Sequence, residues 1–142
     1  MQIIRTNEVL VNHGLEVTPA REKILRIMMT SPTPLDVQTV VAKIGTRAHQ
    51  ATVYRTLETF VKAGILERVD FQEGKFRYEY MHHHHHHAVC ENCGKVEDIS
   101  DSQTEVSSLE KRLKNKTGFA VTKHILELFG ICQNCQKKGL HV

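Results

Sequence analysis

Four cysteines and ten histidines in a chain of 142 residues carry most of its capacity for chemistry. The cysteines lie in the second half as two Cys-x-x-Cys pairs, Cys90 with Cys93 and Cys132 with Cys135. Two such pairs can be two disulfides, two redox motifs or one metal site. A chain expected in a reducing compartment disfavours disulfides, and a thioredoxin-like motif occurs once, beside a βαβ pattern. Four thiolates delivered in two pairs fit the tetrahedral shell of one structural zinc ion, so zinc is the expected occupant.

Six of the histidines are consecutive, within "MHHHHHHAVCENCGKVEDIS" from Met81 to Ser100. A histidine run is usually a purification handle to be set aside. This one stands inside the chain, immediately ahead of the first cysteine pair. A storage tract and a set of defined ligands are the other two readings. In an extended strand alternate side chains face opposite ways, so defined ligands would fall into two groups.

The positions that must hold these groups come from patterning. In the first half Thr18 and Pro19 make an N-cap and first helical residue, followed by a stripe of Ile24, Leu25, Ile27 and Met28. A second short helix runs from Leu35 to Ile44, capped by Asp36 and stopped by Gly45. A third, in "HQATVYRTLETFVKAGIL", buries Val53, Leu57, Phe60 and Val61 and ends at Gly64. "ILERVDFQEGKFRYEY" alternates on either side of Glu73-Gly74-Lys75, the pattern of a β-hairpin.

Three short helices and a hairpin make a winged helix-turn-helix, whose third helix enters the major groove of DNA. Thr52 is expected to contact phosphate, Tyr54 a thymine methyl, and Arg55 guanine or phosphate. His49 reads as a solvated loop residue. The net charge of +3 is too small to identify a nucleic-acid partner. Its distribution is more telling, because Lys43, Arg47, Arg55 and Lys62 face only Glu58 in that stretch.

The second half reads as strand, helix and strand. "AVCENCGKVEDIS" is strand-like around the first cysteine pair. "SQTEVSSLEKRLKNKTG" is a helix with Val106, Leu109 and Leu113 inward, and "FAVTKHILELFGIC" alternates as a strand. Large apolar residues are few there, so zinc and dimerisation are the expected supplements. The fold class is therefore α+β: an N-terminal winged helix-turn-helix DNA-binding domain at 1–80 and a small zinc-stapled α/β dimerisation domain at 81–142. No apolar run has the length of a membrane span, and "MQIIRTNEVL" lacks a signal-peptide core. A cytoplasmic location with no membrane partner is expected.

"ATVYRTLETFVKAGIL", then "RYEY", "HHHHAVCENCGKVEDI" and "CQNC", in that order, resemble the ferric uptake regulator family of metal-responsive repressors. The resemblance implies a homodimer that binds a dyad-symmetric operator in double-stranded DNA. It implies that Cys90, Cys93, Cys132 and Cys135 hold structural Zn2+. It further implies a regulatory hinge site of Glu79, His85 and His87, with Asp98 contributing in some members, and an additional site of His84, His86, Glu105 and His124. His82 and His83 receive no role.

Where the family often places a histidine before its third helix, this chain has Thr33. His82, His83, His13 or water would then complete the hinge shell. His86 replaces an aspartate common in iron-responsive members, which brings the chain nearer the zinc or nickel branches. The regulatory ion is expected to be Zn2+ or Fe2+, with Ni2+ and Mn2+ as further options. A peroxide-responsive repressor is the alternative within the family, although Glu79 stands where that branch carries aspartate. Neither a zinc hydrolase nor a histidine-rich metal buffer explains the helix-turn-helix. No general base or small-molecule substrate pocket accompanies the ligands, so no enzyme is expected.

Overall fold

The computed structural model describes residues 5–45, 49–80 and 84–140. The chain divides into two units, Met1–His82 and His83–Val142. His82, His83 and Arg47 lie outside the described residues. Among the described residues no helix is long and apolar enough to cross a membrane.

Among its described residues the first unit has four helices, one more than the patterning predicts: α1 (Thr6–Asn12), α2 (Pro19–Thr30), α3 (Val37–Ile44) and α4 (Gln50–Lys62). Helix α1 is short and offers only Val9 and Leu10 to the core, too little for a periodic signal. Thr18 caps α2 by accepting the Arg21 N–H, and Asp36 caps α3 by accepting that of Thr39. Helix α4 ends in paired closing bonds, Gly64 N–H to Val61 O at 3.1 Å and Ile65 N–H to Phe60 O at 2.9 Å. The first puts Gly64 at φ 81°, a backbone that glycine adopts without penalty.

Strands β1 (Leu66–Asp70) and β2 (Phe76–Tyr80) pair antiparallel, with Leu66 opposite Tyr80. Leu35, just ahead of α3, bridges Tyr78 of β2 through two 2.8 Å backbone bonds. Tyr78 is buried and donates its hydroxyl to Glu58 of α4 at 2.5 Å. The hairpin is thereby tied both to the start of α3 and to the flank of α4. Ile24, Leu25, Met28, Val40, Val53, Leu57 and Phe60 fill the core between them.

The second unit is a three-stranded sheet of order β4-β3-β5, with β3 at His85–Cys90, β4 at Val96–Ser100 and β5 at Glu127–Gly130. β3 pairs antiparallel with β4 and parallel with β5. A 3₁₀ turn at Asp101–Gln103 leads to α5 (Val106–Thr117), and α6 (Gln133–Lys137) follows β5. Gly118, in the left-handed conformation, ends α5.

Two expectations are corrected here. Only 127–130 of the predicted long strand is paired, because its register on β3 begins at His87 opposite Glu127. The segment before it has no strand partner among the described residues. Helix α5 buries none of its residues, and Leu109 and Leu113 are exposed rather than inward.

Candidate metal centres

Cys90 closes β3, and Cys93 sits in the turn that leads to β4. Cys132 is the N-cap of α6 and Cys135 lies within that helix. Gly94, at φ 75°, lets the chain fold back around the first pair. All four are free thiols. Their sulfur atoms lie within 4.8 Å of one another, with Cys90 to Cys135 at 3.8 Å and Cys93 to Cys132 at 3.7 Å. Thiolates about 2.3 Å from a tetrahedral zinc ion stand roughly 3.8 Å apart. The spacing fits zinc and is far too long for a disulfide.

The surroundings already favour anionic sulfur at one corner. Backbone N–H groups of Cys132 and Cys93 aimed at Cys90 bring its thiol down to about 6. At Cys135 the Asn92 amide, donating at 3.2 Å, favours the thiolate, but burial and the neighbouring sulfurs outweigh it and push the group up to about 11. Four thiols at this separation cannot all ionise without a cation between them. Zinc bound there would hold them as thiolates and close β3, the turn and α6 into one unit.

On β3 the histidine rings sort by parity. His85 and His87 have ring centroids 4.9 Å apart, and His84 and His86 have theirs 4.7 Å apart. His86 and His87 are both buried, each 2% exposed. The second ring pair meets His124, from the segment before β5, and Asp101, from the 3₁₀ turn. His84 Nε2 lies 2.8 Å from His124 Nε2, and His86 Nε2 lies 3.3 Å from that same atom. Asp101 Oδ1 lies 2.7 Å from His86 Nε2, 3.5 Å from His124 and 3.8 Å from His84. Ligands about 2.1 Å from a tetrahedral ion stand roughly 3.4 Å apart. Three nitrogens and one oxygen converging at such distances fit a zinc-sized divalent cation.

The carboxylate in this set is Asp101; Glu105 is the exposed N-cap residue of α5. The hydrogen bond from His86, outweighing desolvation, holds the Asp101 carboxyl below its usual range, so it stays anionic toward a metal. His124 turns its other nitrogen away, Nδ1 lying 2.6 Å from Glu110 Oε1 on α5.

His87 lies opposite Asp98 across β4 and opposite Glu127 across β5. Its Nδ1 is 3.2 Å from each oxygen of the Glu127 carboxylate. A carboxylate on one ring nitrogen fixes the tautomer and directs the other nitrogen to a metal. Asp98 is exposed on β4. Glu79 belongs to β2 of the first unit, so its membership of the hinge set rests on the family resemblance.

Asp101, Glu110 and Glu127 were not among the expected site residues. For Asp101 a signal exists. The β3–β4 register pairs His85 with Ser100, and one further step sets Asp101 opposite His84. In the first unit Thr52, Tyr54 and Arg55 are all exposed on α4, away from its buried Val53 and Leu57. Thr33 sits in the loop between α2 and α3, where its carbonyl accepts the Ser31 hydroxyl at 2.6 Å.

Residues 12–129 match the sequence model of the Ferric uptake regulator family. The peroxide operon regulator of Bacillus subtilis (strain 168) is 33% identical over 137 residues, covering 94% of this chain and 93% of that protein. The ferric uptake regulation protein of Neisseria meningitidis is 36% identical over 135 residues, 92% of each chain. Among solved structures, the Vibrio cholerae ferric uptake regulator matches with a TM-score of 0.76 at 36% identity, over 89% of this chain and 98% of that one.

Proposed function

The chain belongs to the ferric uptake regulator family, and from that premise we propose a metal-activated repressor whose regulatory ion is bound at the hinge. It is a DNA-binding transcriptional regulator, not an enzyme, with a candidate metal site formed by His84, His86, Asp101 and His124 beside the cysteine set. The observation that carries the reading is the presence, in one small unit, of two donor sets of different chemistry. An all-sulfur set makes a closed site that suits permanent zinc. A nitrogen–oxygen set accepts several first-row ions and suits one whose occupancy follows supply.

In this reading Glu79, His85 and His87, with Asp98, form the hinge site, and the histidine–aspartate set is the additional site. Zn2+ or Fe2+ is the regulatory ion, Ni2+ and Mn2+ being compatible with the same donors. Metal at that site keeps the two recognition helices of a homodimer at the spacing of successive major grooves. Thr52, Tyr54 and Arg55 then meet a dyad-symmetric operator, and loss of metal releases it. The domain limits in this scheme are 1–80 and 81–142.

The test is DNA affinity for a dyad-symmetric duplex against free metal, with bound zinc counted separately. Affinity should rise as a second class of site fills beyond the cysteine-bound zinc. Affinity that is flat across that range would overturn the proposal. The likeness to a peroxide operon regulator supports a second reading, a peroxide-responsive repressor. Brief peroxide exposure of the iron-loaded, DNA-bound protein separates the two, because only the second reading expects release.

A further inference from the structure

Helix α5 presents a difficulty of its own. It buries no residue, and its Leu109 and Leu113 are exposed, so apolar packing within the chain does not hold it. What does reach it is the short contact between Glu110 Oε1 and His124 Nδ1, at 2.6 Å. A carboxylate accepts and cannot share that nitrogen's lone pair, so Nδ1 carries the hydrogen and Nε2 carries the lone pair. That Nε2 is the atom lying 2.8 Å from His84 and 3.3 Å from His86. Asp101, which joins the same set, lies in the turn directly ahead of α5. One short segment thus sends two carboxylates toward the histidines, one into the set and one behind it.

We propose that Glu110 is a positioning residue for the histidine–aspartate centre, fixing His124 in the tautomer that coordinates, so that metal bound there also anchors α5. The arrangement assigns two different roles to acidic residues of one segment. Asp101 supplies the ligand oxygen, while Glu110 orients a ligand without touching the ion. The inference rests on reading the four residues as a metal centre, and the experiment keeps the two apart.

The full-length protein with zinc retained at the cysteines is titrated with Co2+, following the absorption of the tetrahedral ion and its affinity by chelator competition. Glu110→Ala should weaken binding at the histidine centre by roughly 10- to 100-fold and alter the Co2+ spectrum. Glu110→Gln should lose less, because its amide oxygen still accepts the Nδ1–H. Amide exchange across 106–117 should slow on Co2+ loading in wild type and stay fast in Glu110→Ala. An unchanged zinc content at the cysteines verifies that each variant is folded. Co2+ bound by Glu110→Ala within about twofold of wild type, with the same spectrum, would overturn the anchor. If His124→Ala also leaves Co2+ binding intact, the centre itself is misread. If His124→Ala loses Co2+ while Glu110→Ala keeps it, only the anchor fails.

Discussion

His87 is almost wholly buried, and a buried imidazole is costly unless both ring nitrogens have partners. Glu127 meets Nδ1, which is the geometry that prepares a ligand rather than a packing residue. The alternation along β3 makes a sharp prediction from this. His85→Ala with His87→Ala should abolish metal-activated DNA binding while the cysteine zinc is retained. His82→Ala with His83→Ala should leave that activation near wild type. DNA affinity against free metal reads both, and equal losses would mean that the run acts as a tract of interchangeable donors. The cysteine set was legible from spacing alone, since two Cys-x-x-Cys pairs carry their own geometry. Glu110 and Glu127 were not. Their places depend on the docking of α5 and on the register of β5 against β3, which no local pattern encodes. Asp101 falls between, being recoverable by counting back through the β-hairpin that closes at the first cysteine pair.

At the level of elements, the winged unit was readable because its caps and stripes agree. Thr18, Asp36 and Gly64 mark helix ends by side-chain or backbone chemistry, and Val53, Leu57 and Phe60 fall on one buried face. Helix α1 escaped because two apolar residues make no period. The stripe on α5 misled because its spacing is that of an inward face, while Leu109 and Leu113 stand exposed. Two predictions belong here. Tyr54→Ala and Arg55→Ala should each weaken operator binding by about 1–3 kcal/mol without changing metal content, since both are exposed on α4 beyond the core. A duplex bound equally by wild type and both variants would remove α4 from the interface. The second concerns acid. Burial would raise the Asp36 carboxyl, but hydrogen bonds from Lys75 and Thr39 outweigh it and bring the group from 3.8 to about 2. A depressed carboxyl stabilises the fold above its unfolded value and loses that contribution as pH falls through the folded one. Asp36→Asn keeps a cap but not the charge, so it should cost about 2 kcal/mol at neutral pH. The gap from wild type should close between about pH 4 and pH 2. Urea melts across that range read it, and a gap that persists at pH 2 would assign the loss to packing instead.

Across the whole chain, apolar burial is distributed unevenly between the two units. Nearly all the buried apolar residues belong to the first; in the second, among the described residues, they are Val89, Cys90 and Cys135. The second unit meanwhile exposes Leu109, Leu113, Phe119, Ile125, Leu128 and Phe129. A unit with so little core needs other sources of stability, and the proposed zinc at the cysteines and a second copy against that apolar surface would supply two. Zinc bound to the four thiolates would hold the end of β3 against α6, next to the strand from which β5 presents Leu128 and Phe129. Loss of one ligand therefore acts on assembly as well as on metal. Cys93→Ser should release zinc and leave the protein monomeric, with the second unit unfolded and the winged unit still melting cooperatively on its own core. Sedimentation at several concentrations, with zinc content and far-ultraviolet dichroism on the same samples, reads the outcome. A variant that lacks zinc yet sediments as a dimer, with unchanged melting, would show that apolar contact alone sustains the second unit and that the cysteine set is dispensable for it.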